Sequence, residues 1–345
     1  MSERVERLSA SLDDPLLVMA PVNVRYLTGF DSSNSALLVE RDRVRLFSDF
    51  RYAAAGRQVP DVEFVQTERS LVADLAELLS GRIAFEAEHL RYAAWETLAA
   101  GGIELVPTRG VVEAFRAVKD DRELAAIERA AAITNEVFER ISRERFIGKS
   151  ERQIAWRIDQ LFHELGAERP AFSTKVAAGA SSALPHGGSG DRRIEPRHTV
   201  VVDAGCVVDG YSSDCTRTFA AGPLSGGLKE VYEICLRAQE RALAAVSPER
   251  RGRDVDAVAR DYIADAGYGE EFGHGLGHGV GLLIHEAPRL ARTSEDTLAA
   301  GNVVTVEPGI YLEGVGGVRI EDLVTVGDDG PKTLTRFTKA LVTVD

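Results

Sequence analysis

The spacing of apolar residues changes character along the chain. Up to residue 106 it consists of short apolar runs, at 16–19, 36–39, 44–47 and 62–65, which read as strands, followed by helical spacing over 70–79 and 90–100. Runs at 83–85 and 103–106 supply further strands beside those helices. Strand-length runs alternating with helical patterns describe an α/β module of about a hundred residues. The charged stretch Val118-Lys119-Asp120-Asp121-Arg122-Glu123-Leu124 interrupts the pattern and marks a boundary, giving domains over 1–118 and 119–345.

The second domain opens on helical spacing over 123–143. Ser150 with Gln153 forms a capping box, Ile154, Ile158, Leu161, Phe162 and Leu165 then fall on one helical face, and Gly166 ends the helix. A hairpin is expected over 199–219. Helical patterns at 228–245 and 254–265 follow, the latter closed by Gly267, and then a second hairpin over 303–326. Helices and then a hairpin, twice, suggest two related halves, on layout alone and without sequence identity between them. The fold class is mixed α/β (α+β).

Composition narrows the function. The chain has 345 residues, is 44% hydrophobic and carries a formal net charge of −13, with a pI near 5.2. That acidic balance argues against nucleic acid, which selects basic faces. No apolar run approaches the ~18 residues of a membrane span, and the charged N-terminus does not read as a signal peptide. Three cysteines, Cys206, Cys215 and Cys235, make an odd, sparse set that suits a reducing compartment, so a cytoplasmic location is expected. No C-x-x-C pair is present to build a thiolate zinc site.

Five candidate metal ligands lie in order along the C-terminal half: Asp203, Asp214, His278, Glu307 and Glu321. In the first hairpin Asp209-Gly210 is a strong turn signal. It sets Asp203 opposite Thr216, with Asp214 one diagonal step away, so that Asp203, Asp214, Thr216 and Thr218 project to one side. Asp203 follows three valines, the end of a buried strand. Two aspartates on a buried face repel each other unless a cation lies between them. In the second hairpin, a loop centred on Gly314 makes Glu307 and Glu321 cross-strand partners, with Arg319 on their face. Pro308 cannot donate to a ladder, so a bend or bulge is expected there.

Between the hairpins runs Phe272-Gly273-His274-Gly275-Leu276-Gly277-His278-Gly279-Val280-Gly281-Leu282-Leu283-Ile284-His285-Glu286, with three of the seven histidines inside twelve residues. Its alternate glycines exclude a helix and leave the imidazoles free to converge. A further histidine, His186, lies in the loop Ala183-Leu184-Pro185-His186-Gly187-Gly188, and Cys215 reads as core packing on the face opposite Asp214. Four carboxylates and one imidazole can hold two divalent cations, expected ~3.5–4 Å apart, an arrangement that activates water for hydrolysis. The oxygen-rich set favours Mn²⁺, with Co²⁺, Zn²⁺ or Fe²⁺ as alternatives.

At these residues the chain resembles the pita-bread metallopeptidases, the family of methionine aminopeptidase, aminopeptidase P and prolidase. The matching segments are Val202-Asp203-Ala204-Gly205, Gly210-Tyr211-Ser212-Ser213-Asp214-Cys215-Thr216-Arg217-Thr218, the stretch from Gly273 to Gly281, His285-Glu286-Ala287-Pro288, Glu307-Pro308-Gly309-Ile310-Tyr311 and Arg319-Ile320-Glu321-Asp322. Asn23-Val24-Arg25-Tyr26-Leu27-Thr28-Gly29-Phe30 and Ser48-Asp49-Phe50-Arg51-Tyr52 resemble the proline-specific members. The resemblance spans nearly the whole chain and implies a creatinase/prolidase-like N-terminal domain followed by a pita-bread (creatinase/aminopeptidase-type) catalytic domain.

The resemblance also implies roles. Asp203 would chelate one metal, Asp214 and Glu321 would bridge both, and His278 and Glu307 would complete the second. Glu307 would also shuttle the proton of a bridging hydroxide. His186 and His285 would steady the scissile carbonyl and the tetrahedral oxyanion. His274, Arg319 and Tyr311 would line the substrate pocket or support the ligands. The implied reaction is hydrolysis of the bond before proline in an Xaa-Pro dipeptide, and a homodimer is implied as well. An aminopeptidase P acting on longer peptides stays open at this point. Metal-free creatinase-like hydrolases and non-catalytic binding modules on the same fold lose ligands that this chain keeps.

Overall fold

The structure, a computed structural model, describes residues 2–185 and 187–345. The chain folds as two compact units, Met1–Arg116 and Ala117–Asp345. The first is built on a six-stranded sheet in the order Glu63–Thr67, Val44–Asp49, Ser35–Val39, Leu16–Val18, Gly81–Glu86 and Ile103–Thr108. Leu17, Leu38 and Phe47 on the strands and Leu71, Leu75 and Leu98 on the helices Leu71–Leu78 and Tyr92–Ala100 form its core. Four helices lie outside the spacing read from the sequence: Glu3–Ala10, Pro21–Thr28, Ala53–Gly56 and Val111–Ala117. Glu3–Ala10 buries Val5 and Leu8 among charged residues, and its apolar positions are too few to stand out from the charged N-terminal stretch. Pro21–Thr28 carries the Asn23 to Gly29 motif. Proline opens it and Gly29, at φ 72°, closes it.

The second unit begins where the sequence is most charged. Asp120 caps the helix Asp121–Ile141, its carboxylate accepting from the backbone N–H groups of Arg122 and Glu123, both at 2.9 Å, while Glu123 accepts from the N–H of Asp120 at 3.0 Å. What the composition marks as a boundary is thus also a capping box. Ser150 and Gln153 make the same reciprocal pair at the helix Glu151–Glu164.

Each half of this unit has its own core. In the first half the two helices pack on the sheet containing Lys175–Ala178, Thr199–Ala204 and Cys215–Ala221, around Phe138, Phe146, Phe162 and Phe219. In the second half the helices Gly226–Ala244 and Gly252–Asp265 pack on a five-stranded sheet, around Val231, Tyr232, Leu276 and Val304. Fully burying each such side chain contributes roughly 1.5–3 kcal/mol.

Both hairpins have the expected register, and both break where the candidate ligands sit. Asp203 pairs with Thr216, but the ladder is interrupted after Ala204 and resumes as Cys206–Val208 against Tyr211–Ser212. The break centres on Gly205, where a Cβ would lie 1.9 Å from the Ser213 carbonyl oxygen, so only glycine lets the two backbones pass. In the second hairpin, Val306 pairs with Asp322 and Gly309 with Arg319, which sets Glu307 opposite Glu321 across the gap between the two ladders. Pro308 has no N–H for a ladder bond, and the Glu307 N–H turns to the Leu276 carbonyl at 2.8 Å. Asp214, Glu307 and Glu321 therefore lie at ladder breaks, where side chains can be re-aimed.

Candidate metal centre

Where the two halves of the second unit meet, a cleft of roughly 290 Å³ collects residues from both. Asp203 and Asp214 come from the first hairpin, His278 from the glycine-rich strand, and Glu307 and Glu321 from the second hairpin; all five line it. Donor atoms of Asp214, His278 and Glu321 lie within 4.8 Å of one another. His278 Nε2 stands 3.2 Å from Glu307 Oε1 and 3.7 Å from Asp214 Oδ2. Asp203 joins from the side, its Oδ2 accepting from Arg319 Nη2 at 2.6 Å.

The halves are stitched together at this point. The Glu321 N–H donates to the Thr216 carbonyl at 3.1 Å, and Thr216 Oγ1 donates to Glu321 Oε2 at 2.7 Å. Thr218 Oγ1 donates to the Arg319 carbonyl at 2.9 Å and accepts from the Arg319 N–H at 3.0 Å. The glycines around His278 are sterically required. A Cβ at Gly277 would lie 2.0 Å from the Thr305 carbonyl oxygen, and one at Gly279 would lie 2.2 Å from that of Ala287. His278 Nδ1 is 3.1 Å from the Gly279 carbonyl oxygen. A carbonyl only accepts, so Nδ1 carries a hydrogen and Nε2 faces the carboxylates, donating to Glu307 when the ring is protonated and free to ligate when it is neutral.

The electrostatics of the cluster are lopsided. Asp214 is 5% exposed and Glu321 1%, and Asp214 Oδ1 has no hydrogen-bond partner among the described residues. Burial, and then the neighbouring carboxylates, hold both Asp214 and Glu321 well above the usual carboxylate range. Burial works the same way on Glu307, but the His278 hydrogen bond and charge outweigh it and bring Glu307 down to about 2. The same contact raises His278 against the effect of its own burial. An orphaned, buried carboxylate oxygen among like charges is what divalent cations satisfy, and an oxygen-rich donor set with one imidazole fits them.

Behind the ligands runs a chain of hydrogen bonds. Arg319 Nη1 donates to Tyr311 Oη at 3.1 Å, and the Tyr311 hydroxyl lies 2.9 Å from His274 Nε2. His274 Nδ1 is bonded to the Gly275 carbonyl at 2.8 Å, so Nε2 is the acceptor. Burial pushes the Tyr311 hydroxyl up to about 12 and the His274 imidazole down. His285 lines the cleft edge-on to His278, their ring centroids 4.3 Å apart. His186 lies outside the described residues; its neighbour Pro185 lines the cleft.

Three charged residues to which the sequence assigns no role, Arg217, Glu151 and Lys175, bear on this site. Arg217, buried on the face of its strand opposite Thr216, donates from Nη2 to Asp322 at 2.8 Å and from Nη1 to the backbone carbonyl of Glu321. Asp322 is completed by Lys339 at 2.9 Å and Gln239 at 3.0 Å. Glu151, 2% exposed, accepts from the backbone N–H groups of Ala178 at 2.9 Å and Gly190 at 3.0 Å, and also from Ser181 Oγ. It thereby ties down both ends of the segment that contains position 186. Lys175 approaches Asp203 from the neighbouring strand. Two signals pointed to Arg217: it is a lone cation in the otherwise apolar and hydroxylated run Cys215–Ala221, and it lies within a segment that resembles the family.

A buried carboxylate cluster that its own protein does not neutralise, open to a cleft and flanked by histidines, is the signature of a metal-dependent hydrolase. Its lineage is explicit: residues 125–328 match metallopeptidase family M24, residues 4–118 match the creatinase/prolidase N-terminal domain, and the chain belongs to family M24, which implies divalent metal cofactors. The Xaa-Pro dipeptidase of Pyrococcus furiosus is 36% identical over 353 residues, covering 99% of this chain and 100% of that protein. The solved structure of an Xaa-Pro dipeptidase from Bacillus anthracis superposes with a TM-score of 0.94 at 37% identity, covering 99% of both chains. That of an X-Pro aminopeptidase from Thermotoga maritima gives 0.89 at 34% identity, covering 99% of this chain and 100% of that one.

Proposed function

We propose that this protein is an Xaa-Pro dipeptidase, a prolidase, that hydrolyses the bond before proline with two divalent metal ions held by Asp203, Asp214, His278, Glu307 and Glu321. The observation that carries the reading is the buried Asp214, whose Oδ1 has no hydrogen-bond partner among the described residues, set among Glu321, Glu307 and His278 in a cleft of small-peptide size. Manganese suits the oxygen-rich set best, with cobalt, zinc or iron as alternatives. When bound, paired divalent ions lower the pKa of a water and polarise the scissile carbonyl.

The chain's own groups do the rest. Glu307, ionised at neutral pH, accepts the proton of the attacking water and passes it to the prolyl nitrogen. That nitrogen carries no hydrogen in the peptide and leaves as a secondary amine. His285, whose imidazole is lowered first by burial and then by the His278 charge, faces the cleft as a neutral donor for the tetrahedral oxyanion. His186 shares that role. Arg319 holds Asp203 in place, and Tyr311 and His274 hold Arg319. We also place the protein in the cytoplasm, on its three free cysteines, and infer a homodimer. No described helix is long and apolar enough to cross a membrane.

The likeness to the Thermotoga maritima X-Pro aminopeptidase supports a second reading, removal of the residue before proline from longer peptides. Hydrolysis of Ala-Pro beside Ala-Pro-Ala, in Mn²⁺ and with a chelator control, separates the two. The dipeptidase reading expects chelator-sensitive cleavage of Ala-Pro. Cleavage of the tripeptide alone would replace it with the aminopeptidase, and cleavage that survives chelator would remove the metal mechanism.

A further inference from the structure

The glycine-rich run reaches its strand only at Gly277, so the backbone of residues 272–276 needs partners from outside the ladders. One ion pair supplies them. Asp256 and Arg260 lie one turn apart on the helix Gly252–Asp265. Arg260 donates from Nε to Asp256 Oδ2 and from Nη2 to Asp256 Oδ1, both at 2.7 Å. The same guanidinium donates from Nη1 to the Phe272 carbonyl at 2.9 Å and from Nη2 to the His274 carbonyl at 2.7 Å. Asp256 Oδ1 accepts from the Leu276 N–H at 3.0 Å. The guanidinium carbon stands 4.2 Å from the centroid of the Phe272 ring, which meets the His274 imidazole edge-on at 5.1 Å. Asp256 is buried, and neither residue lines the cleft. Burying an ion pair costs desolvation, which further hydrogen bonds must offset. Here every one of those bonds goes to a single five-residue stretch.

We infer that Asp256 and Arg260 are positioning residues for the reaction, setting where Glu307 and His274 stand without touching substrate or metal. The inference rests on the Xaa-Pro reading above and adds to it two residues outside the cleft. Two routes lead from the pair to the site. The Leu276 peptide gives its N–H to Asp256 and its carbonyl to the Glu307 N–H at 2.8 Å, so two peptide groups join Asp256 to a candidate ligand. On the other route Arg260 holds the His274 carbonyl, and the His274 imidazole meets Tyr311, which takes the bond from Arg319. Arg319 in turn holds Asp203. The planar fork of arginine spans a carboxylate and two carbonyls at once, which the single nitrogen of a lysine cannot do. A displacement of about 1 Å passed along either route is enough to lower turnover by about a hundredfold.

The test sets R260K and D256N beside V255A. Val255 is a core residue on the same helix, and its side chain makes none of these bonds. Thermal unfolding, Mn²⁺ affinity by competition with a chelator, and kcat and KM for Ala-Pro at saturating Mn²⁺ are measured for each. R260K should lower kcat about ten- to hundredfold and leave KM within about threefold of wild type. D256N turns an amide N–H toward either Arg260 or the Leu276 N–H, and should also weaken Mn²⁺ binding about ten- to hundredfold. V255A should lose stability and keep both kcat and affinity within about twofold of wild type. If R260K and D256N change kcat and affinity no more than V255A does at a similar loss of Tm, the inference is overturned and the pair supports the fold alone. A wild type that binds Mn²⁺ and leaves Ala-Pro uncleaved would overturn the proposed function, while the Mn²⁺ affinity of D256N would still decide the pair.

Discussion

Replacing Asp214 by asparagine should make the chelated protein more stable and the metal-loaded protein less stable. Donor atoms of Asp214 and Glu321 lie within 4.8 Å, and both residues are buried. At that separation and an effective dielectric of about 20, two like charges repel by about 3.5 kcal/mol. Relieving the repulsion by protonation at pH 7 costs about 4 kcal/mol for an ordinary carboxyl, so the two routes cost nearly the same. The amide removes the charge, and no hydrogen bond to Oδ1 is lost among the described residues. Allowing for imperfect burial of the amide, a gain of roughly 1–3 kcal/mol is expected in chelator, or about 2–12 °C in Tm. Saturating metal at a thousand times Kd would add about 4 kcal/mol to the wild type, and the variant should lose most of that gain. The assay is thermal unfolding of both proteins in chelator and in Mn²⁺, and the expected signature is a crossing of their order. A variant less stable than wild type in chelator by more than 1 kcal/mol would refute the electrostatic account of the cluster.

The same reasoning gives a pH dependence. In chelator, Asp214 and Glu321 have folded-state values above their unfolded ones, so the folded chain holds more protons than the unfolded chain. Stability should then fall as pH rises from about 4 toward neutral, less steeply in D214N, as melts across that range would show. R217M removes a buried guanidinium that holds Asp322 and the Glu321 carbonyl. It should cost about 3–5 kcal/mol in denaturant unfolding, together with loss of metal affinity. G277A places a methyl group 2.0 Å from the Thr305 carbonyl oxygen. It should destabilise by about 1–3 kcal/mol and lower kcat by displacing His278, with denaturant melts and turnover as the measurements. E151A removes the acceptor of the Gly190 N–H and one of the two acceptors of the Ala178 N–H, the other being Ser181 Oγ. It should lower kcat while bound metal, measured by elemental analysis, stays near wild type, since Glu151 touches no candidate ligand.

Much of this was legible in the sequence because turn chemistry sets register. Asp209-Gly210 fixes the first hairpin and Gly314 the second, and each register carries its carboxylates to the cleft. The glycine-rich run between them announces close backbone approach, which Gly277 and Gly279 meet. What stayed hidden depends on partners distant along the chain. Lys175 at the start of a short strand reads as solvent-facing until Asp203 is placed beside it, 28 residues on. Glu151 reads as an ordinary first-turn acid, although it closes a loop 39 residues away. The splitting of both hairpins was half visible: Pro308 signals one break, but nothing local distinguishes Gly205 from a turn glycine until Ser213 lies against it.

The central claim is that five residues hold two metal ions and that the ions serve Xaa-Pro hydrolysis. Titrating chelator-stripped protein with Mn²⁺ while following Ala-Pro cleavage tests it most directly. Activity should be absent at the start and reach its ceiling at two equivalents per chain. Full activity in the stripped protein, or metal uptake with no cleavage of Ala-Pro at any loading, would contradict the account.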